Sequence, residues 1–225
     1  MENKIAIKWS HSSLKGYETC ARQYHEVKVL KNYPFTDTVH TIYGKEVHKA
    51  AEDFVRHGTP IPPEYAFMQP TLDALMKKTG RKLAEYEMGV TLNLQPCDFN
   101  DEKVWVRGIA DLLIIDDDGL KAWVFDYKTG SDKYPDRDQL ILMSLMVFIH
   151  FPHIRQVNSA LLFVVKDSIV KHSMLRDEAG DHWWSYRERV LRLAQSAESN
   201  VWNPTQTGLC KAWCPVLTCE FNGKR

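Results

Sequence analysis

Two apolar runs joined by an acidic turn constrain the fold of this 225-residue chain more than any other feature. Val104–Ile115 and Ala122–Gly130 are rich in β-branched and aromatic residues, and Asp116–Gly119 separates them. Such runs around an Asp-Gly step predict a β-hairpin. Both runs are apolar at successive positions, which is typical of strands that are covered on both faces of a sheet.

The turn determines which residues face each other across the hairpin. With Asp118-Gly119 as a two-residue turn, counting outward places Asp111 directly opposite Asp126 on one face, with Cβ atoms about 5 Å apart. Lys128 follows two residues later on the same face. Two adjacent carboxylates repel each other unless a cation lies between them. The pattern therefore predicts a divalent metal site with an ammonium group beside it.

Two simpler interpretations compete with the metal site. Asp126 and Lys128 could form an ordinary exposed strand pattern, but apolar neighbours on both faces disfavour it because unpaired buried charges are costly. A structural salt bridge from Lys128 would satisfy one aspartate and leave the other uncompensated. The metal hypothesis accounts for both acids.

Length and composition indicate one globular domain over residues 1–225. A content of 44% hydrophobic and 26% charged residues is sufficient for a substantial core. We expect N-terminal helices over 12–60, a sheet core over 84–176, and a C-terminal helix with a cysteine-rich tail over 180–225. The formal net charge is zero, so a nucleic-acid partner would require basic residues that are concentrated locally.

Helix caps and hydrophobic periodicity predict the other elements. The first helix is expected from Ser12 or Ser13 to about Leu30. Further helices are predicted over 43–57, 71–82, 137–151 and 180–198. Besides the hairpin, strands are predicted over 84–94, 159–166 and 169–175.

The sequence predicts a cytoplasmic protein with no membrane span. Its N-terminus lacks the long apolar core of a secretory signal. The longest apolar run, residues 140–151, is too short and too interrupted to cross a bilayer. In a reducing compartment, the cysteines should not form disulfides.

Five sequence elements carry a resemblance to a known family. In chain order they are residues 12–24, Gly44-x-x-x-His48, Gly108-x-x-Asp111, Asp126-x-Lys128, and a Gln139 motif with Met143 in place of the family's tyrosine. Together they resemble the PD-(D/E)xK nuclease superfamily, and within it the RecB-like branch of CRISPR-associated and phage exonucleases. The resemblance implies a restriction-endonuclease-like α/β (α+β) fold, with a mixed central sheet flanked by helices.

The resemblance also implies a set of metal ligands. Mg²⁺ or Mn²⁺ would be held by His48, Asp111, Asp126 and the backbone carbonyl of Tyr127, which are ligand types that suit these ions. Glu87 is a further candidate, which would approach the metal through water. A lone histidine on a helix or a glutamate on a strand is otherwise often an exposed residue without a ligand role.

The implied activity is metal-dependent hydrolysis of DNA by a RecB-like exonuclease that leaves 5′-phosphates, in recombination, repair or phage DNA processing. Asp111, Asp126, Lys128 and Gln139 would be the catalytic residues. The implied partners are DNA and a recombination or replication protein. The alternatives are a structure-specific endonuclease, a non-catalytic DNA-binding module, and an iron–sulfur subunit of a recombination complex.

Four of the five cysteines form a second constellation, one early in the chain and three near its end. These are Cys20, Cys210, Cys214 and Cys219. The partition resembles the 4Fe-4S site of RecB-like exonucleases, although three and four intervening residues in the late group depart from the family's usual spacing. Four thiolates suit an iron–sulfur cluster or zinc, and free buried thiols are the third alternative.

Overall fold

The hairpin predicted from the sequence lies in the middle of a six-stranded sheet. The computed structural model describes residues 7–34 and 36–224. The chain forms two compact units. The sheet unit is Asp37–Trp183, and the terminal unit combines Met1–Thr36 with Trp184–Arg225. All six strands belong to the sheet unit.

The sheet is mixed, with spatial order β2-β1-β3-β4-β5-β6. Neighbouring strands are antiparallel except β4 and β5, which are parallel. A parallel pair needs a crossover connection, and a helix between β4 and β5 supplies it. The strands are β1 Arg81–Thr91, β2 Pro96–Cys97, β3 Val104–Ile115, β4 Lys121–Lys128, β5 Gln156–Phe163 and β6 Ser168–Leu175.

Six α-helices accompany the sheet in the described part of the chain. They are α1 His11–Thr19, α2 Ala21–Tyr24, α3 Val39–His57, α4 Gln69–Met76, α5 Arg137–His150 and α6 Ala179–Ser199. A π-helical segment covers His25–Val29, and short 3-10 helices cover Pro63–Met68, Arg176–Glu178 and Gly208–Lys211. Within residues 7–34 and 36–224, the helices are too short or too polar to cross a membrane. The predicted α+β class is confirmed.

Helices cover both faces of the sheet, as the apolar strands require. In β5, Ala160 and Leu162 belong to the core cluster that includes α3 and α4 residues. The alternating residues Leu161 and Phe163 pack with Leu140 of α5 instead. Successive strand residues point to opposite faces, so each face of β5 is buried by a different helical layer.

The predicted register of the hairpin is present. Leu112 pairs with Phe125, and one step further the same register places Asp111 opposite Asp126. Side chains alternate along both strands, so a slip of one residue would have moved the two aspartates to the other face. The hydrophobic pattern therefore fixed this part of the fold.

The turn of the hairpin is longer than the predicted two-residue turn. Asp116 accepts a hydrogen bond from the Gly119 N–H at 2.9 Å and donates its own N–H to the Lys121 carbonyl at 2.9 Å. Within this loop the positive φ, +67°, is at Gly119. A two-residue type I′ turn would also require positive φ at Asp118, which a residue with a Cβ adopts at some cost.

The first helix is interrupted, contrary to the prediction of one helix to about Leu30. Ser10 caps α1, which ends at Thr19, and Cys20 is extended at φ −164° and ψ 109°. The Cys20 Sγ accepts a hydrogen bond from the Gln23 N–H at 3.5 Å. Cys20 therefore acts as the N-cap of α2, which favours the extended backbone at this position.

The junction between α4 and β1 lies earlier than the sequence pattern predicts. α4 ends at Met76 and β1 begins at Arg81, whereas the pattern predicts a helix to residue 82. Gly80 has φ of +108° and lies so close to the Ile115 carbonyl that a side chain would not fit. Glycine tolerates both demands, so the chain turns here instead of continuing the helix.

A pair of glycine substitutions tests the packing around the sheet. An alanine at Gly89 would bring its methyl group within 2.6 Å of the Asp98 carbonyl oxygen and 2.8 Å of the Cys97 carbonyl oxygen. At Gly108 the methyl group would meet the flexible Met143 side chain at 3.0 Å. We expect Gly89→Ala to lower the free energy of unfolding by about 1–3 kcal/mol.

Gly108→Ala is the matched control, since a methionine side chain can shift and a strand backbone cannot. Urea unfolding of both variants measures the difference. Equal stability of the two variants would contradict the close backbone approach at Gly89.

Candidate metal centre and active site

The β3–β4 hairpin opens at Asp111. The last bonded pair of the two strands is Leu112 with Phe125, although both strands continue past it. At the next position, the Tyr127 N–H donates a hydrogen bond to Asp111 Oδ2 at 2.6 Å. A side-chain carboxylate thus takes the place of a backbone acceptor, which satisfies the buried N–H while the strands separate.

Glu85 lies across from Asp111 on the other neighbouring strand. The β1–β3 ladder passes from Ala84 paired with Leu112 to Tyr86 paired with Ala110. Glu85 stands between these pairs with φ of +45°. This left-handed backbone is uncommon for a residue with a side chain and is often found at functional sites. At Asp111, therefore, β3 has an irregular neighbour on each side. β4 separates from it there, and β1 carries the left-handed residue Glu85.

Three side chains converge where the strands separate. One donor atom from each of His48, Glu85 and Asp111 lies within 4.8 Å of the others. His48 is on α3, and its Nδ1 is 3.2 Å from Asp111 Oδ1. A single metal ion could contact all three side chains at once. Among the described residues, this is the one group of three or more acidic, histidine or cysteine side chains that is compact enough to do so.

A second cluster lies on β4 and α5. Lys128 Nζ is 2.6 Å from Asp126 Oδ2 and donates a hydrogen bond to Gln139 Oε1 at 2.9 Å. Gln139 Nε2 in turn donates to Asp126 Oδ1. The three side chains form a closed triangle, so the lysine is held in place by an acid from its own strand and an amide from α5.

Crowded carboxylates perturb the titration of the site. Burial, and then the charge of Asp111, raise the pKa of Glu85 to about 7. Burial and Asp111 also raise the pKa of Asp126 to about 6, although Lys128 opposes this shift. Burial by itself would lower the pKa of His48, but its hydrogen bond to Asp111 and the surrounding carboxylates outweigh that effect and raise it.

This donor set fits a divalent cation. Carboxylate oxygens are the preferred ligands of Mg²⁺ and Mn²⁺, and an imidazole nitrogen is compatible with Mn²⁺ and other transition metals. A bound cation would also compensate the negative charges that raise the pKa of Glu85 and Asp126. Glu85 lines two solvent clefts beside the site, so the centre is accessible from outside.

The structure brings together most of the residues that the sequence singled out. Asp111 and His48 belong to the compact donor group, and Asp126, Lys128 and Gln139 lie beside it. The third donor in the group is Glu85, which the sequence analysis missed.

Glu87, the predicted water-mediated ligand, is exposed and pairs with Ile109 in the ladder. Glu87 lines a solvent cleft together with Glu85, but it is not a member of the compact donor group. Glu85 could have been identified from its position opposite Asp111. That position becomes apparent only once β1 is known to pair with β3. Asp126 and the Tyr127 carbonyl remain proposed ligands.

The four predicted cysteines meet within the terminal unit. One cavity is lined by Cys20, Cys210, Cys214 and Cys219, and all of them are free thiols. Burial raises the pKa of the Cys214 thiol.

Comparisons with known proteins bear on the fold. No curated protein sequence matches the chain significantly. Among solved structures, the "Putative exonuclease" from Eubacterium rectale is 11% identical, with a TM-score of 0.54 over 94% of this chain and 89% of that chain. At this identity the similarity supports a common fold. The crystal structure of SSO0001 is 15% identical, with a TM-score of 0.49 over 96% of this chain and 86% of that chain.

A family model matches residues 64–219 of the chain. The match includes both hairpin aspartates, Lys128, Gln139 and Glu85, and His48 precedes it. The six-stranded mixed sheet between helices is the restriction-endonuclease-like fold that the sequence resemblance implied. The chain therefore belongs to the PD-(D/E)XK nuclease superfamily.

Proposed function

We propose that this protein is a divalent-metal-dependent deoxyribonuclease, and that it acts as a RecB-like exonuclease in recombination, repair or phage DNA processing. The observation that carries the proposal is the compact donor group of His48, Glu85 and Asp111 beside the ordered ammonium of Lys128. The name of the Eubacterium rectale neighbour supports the exonuclease mode over the endonuclease alternative.

His48, Glu85 and Asp111 would hold Mg²⁺ or Mn²⁺, with Asp126 and the Tyr127 carbonyl completing the ligand set. Such an ion polarises the scissile phosphate and lowers the pKa of a water molecule. Asp111 is suited to its role because one of its oxygens is already fixed by the Tyr127 N–H. The other oxygen faces His48. The carboxylate would therefore lose little conformational freedom when it binds a metal ion.

Lys128 would stabilise the charge that develops during cleavage. Its ammonium group is anchored by Gln139 and Asp126, and a preorganised cation is most effective where negative charge accumulates. Lys128 would orient the attacking water as well. Water adds to phosphorus, the bond from phosphorus to the 3′-oxygen breaks, and the 3′-oxygen takes up a proton. The products are a 5′-phosphate and a 3′-hydroxyl.

Two catalytic substitutions test the proposed chemistry. Asp126→Ala and Lys128→Ala should each reduce cleavage of labelled DNA by about 10²–10³-fold or more, since each removes a charged group from the reacting centre. EDTA should abolish cleavage by the unaltered protein, and Mg²⁺ or Mn²⁺ should restore it.

The DNA substrates should carry 5′ or 3′ labels and be single- or double-stranded. Mononucleotide products indicate an exonuclease, whereas discrete internal fragments at junctions favour a structure-specific endonuclease. An unaltered protein that binds DNA without cleaving it would favour the non-catalytic alternatives.

A matched pair of glutamate substitutions tests the metal centre itself. Glu85→Gln should weaken Mn²⁺ binding by roughly tenfold or more, because it removes a carboxylate from the donor group. Glu87→Gln removes the same charge two residues away, from an exposed side chain, and should leave the affinity unchanged. Isothermal titration without DNA measures both. The reverse result would return the ligand role to Glu87.

We further propose that Cys20, Cys210, Cys214 and Cys219 bind a 4Fe-4S cluster, with zinc as the alternative. Their common cavity and their partition between the two ends of the sequence, which resembles the 4Fe-4S site of RecB-like exonucleases, support the cluster. Free thiols of this kind suit a reducing compartment such as the cytoplasm. A cluster in this unit is also compatible with assembly into a recombination or replication complex.

Anaerobic purification tests the cluster. The protein should be brown, absorb at about 400 nm, and contain iron and acid-labile sulfide. Cys210→Ser should lose this iron, whereas Cys97→Ser should keep it, because Cys97 lies on β2 in the other unit. A colourless protein with stoichiometric zinc would support the alternative, and a metal-free folded protein would leave the cysteines as structural thiols.

A further inference from the structure

One face of α3 carries more than the candidate ligand His48. His48, Glu52 and Arg56 are spaced four residues apart in this helix, so they lie along a single stripe. His48 contributes a donor atom to the metal group. Arg56, two turns further on, reaches the β1 backbone next to the second donor residue.

Arg56 contacts two backbone carbonyl groups of β1 and the side chain of Glu52 on its own helix. Its Nη2 donates a hydrogen bond to the Ala84 carbonyl at 2.7 Å and a longer one to the Glu85 carbonyl at 3.5 Å. Its Nη1 lies 2.7 Å from Glu52 Oε1. The guanidinium therefore holds the peptide group just before Glu85 and is itself anchored to α3.

Glu85 needs such support more than an ordinary strand residue does. Its φ of +45° is unfavourable for a residue with a Cβ, and this conformation persists where the surrounding structure imposes it. Because the β1 backbone is irregular here, its carbonyl oxygens need hydrogen-bond donors from outside a regular ladder. Arg56 supplies donors to both of them.

We propose that Arg56, anchored by Glu52, is a positioning residue that holds Glu85 with its carboxylate facing His48 and Asp111. The proposal rests on the metal centre described under the proposed function. A planar guanidinium suits this role because it presents several donors in fixed directions. Through this stripe, α3 provides one ligand directly and orients a second through the backbone of β1.

A different role for Arg56 would be a direct contact with a DNA phosphate, since its side chain is 43% exposed. The two roles differ in what they predict without DNA. A positioning residue affects the affinity for the metal itself. A phosphate contact affects only the affinity for DNA.

The test measures Mn²⁺ binding to the full-length protein without DNA, by isothermal titration and by electron paramagnetic resonance. We expect Arg56→Ala to weaken Mn²⁺ binding by roughly tenfold or more, the usual effect of losing an outer-shell partner. Arg56→Lys should be intermediate, because a single ammonium cannot reach Glu52 and both carbonyls at once.

The matched control is Lys49→Ala. Lys49 is the other cation that pairs with Glu52, at 3.3 Å, and it also pairs with Asp53. This variant removes a positive charge from the same helix without removing a hydrogen bond to the β1 backbone, so Mn²⁺ affinity should not fall. Circular dichroism and thermal unfolding of the metal-free proteins verify that each variant is folded. Should Arg56→Ala not fold, Arg56→Lys carries the comparison.

Cleavage assays add a second readout. Saturating Mn²⁺ should restore the kcat of Arg56→Ala, whereas it should not restore that of Lys128→Ala. The positioning role is overturned if Arg56→Ala binds Mn²⁺ as the unaltered protein does while Glu85→Gln has lost affinity. If Glu85→Gln itself binds Mn²⁺ normally, the proposed metal centre is wrong and not merely the role of Arg56.

Discussion

The hydrogen bond from the Tyr127 N–H to the buried Asp111 carboxylate is the interaction on which the site depends. It allows β3 and β4 to separate without leaving a buried backbone donor unsatisfied. The separation leaves room for side chains to converge on Asp111 from α3 and β1. A carboxylate in this position would be unfavourable if it were isolated, so its partners are a requirement of the fold as well as of the chemistry.

The site is negatively charged, yet the substrate that we propose for it is a polyanion. His48 cannot balance Glu85, Asp111 and Asp126, and Lys128 is already engaged by Asp126 and Gln139. A divalent cation would resolve the conflict, because it would neutralise the acids and attract a phosphate at the same point. The formal net charge of zero is therefore compatible with a DNA enzyme whose affinity is generated locally.

The two compact units carry separate sets of candidate ligands. The sheet unit holds the acids, His48 and Lys128, and the helices on its two faces contribute His48 from α3 and Gln139 from α5. The terminal unit holds the four cysteines, one from the beginning of the chain and three from its end. A cluster bound there would join the two ends of the sequence within one unit.

The sequence by itself determined the hairpin, its register and the positions of Asp111, Asp126 and Lys128, because strand alternation and an Asp-Gly turn are local signals. Only the tertiary structure placed Glu85 beside His48 and Asp111 and brought Arg56 to its backbone. Those choices depend on pairing between β1 and β3 and on a left-handed residue that surrounding contacts impose. The break of the first helix at Cys20 is similar, since a side-chain cap competes there with helix propensity. Local patterns specify elements, but contacts between distant elements decide which side chains meet.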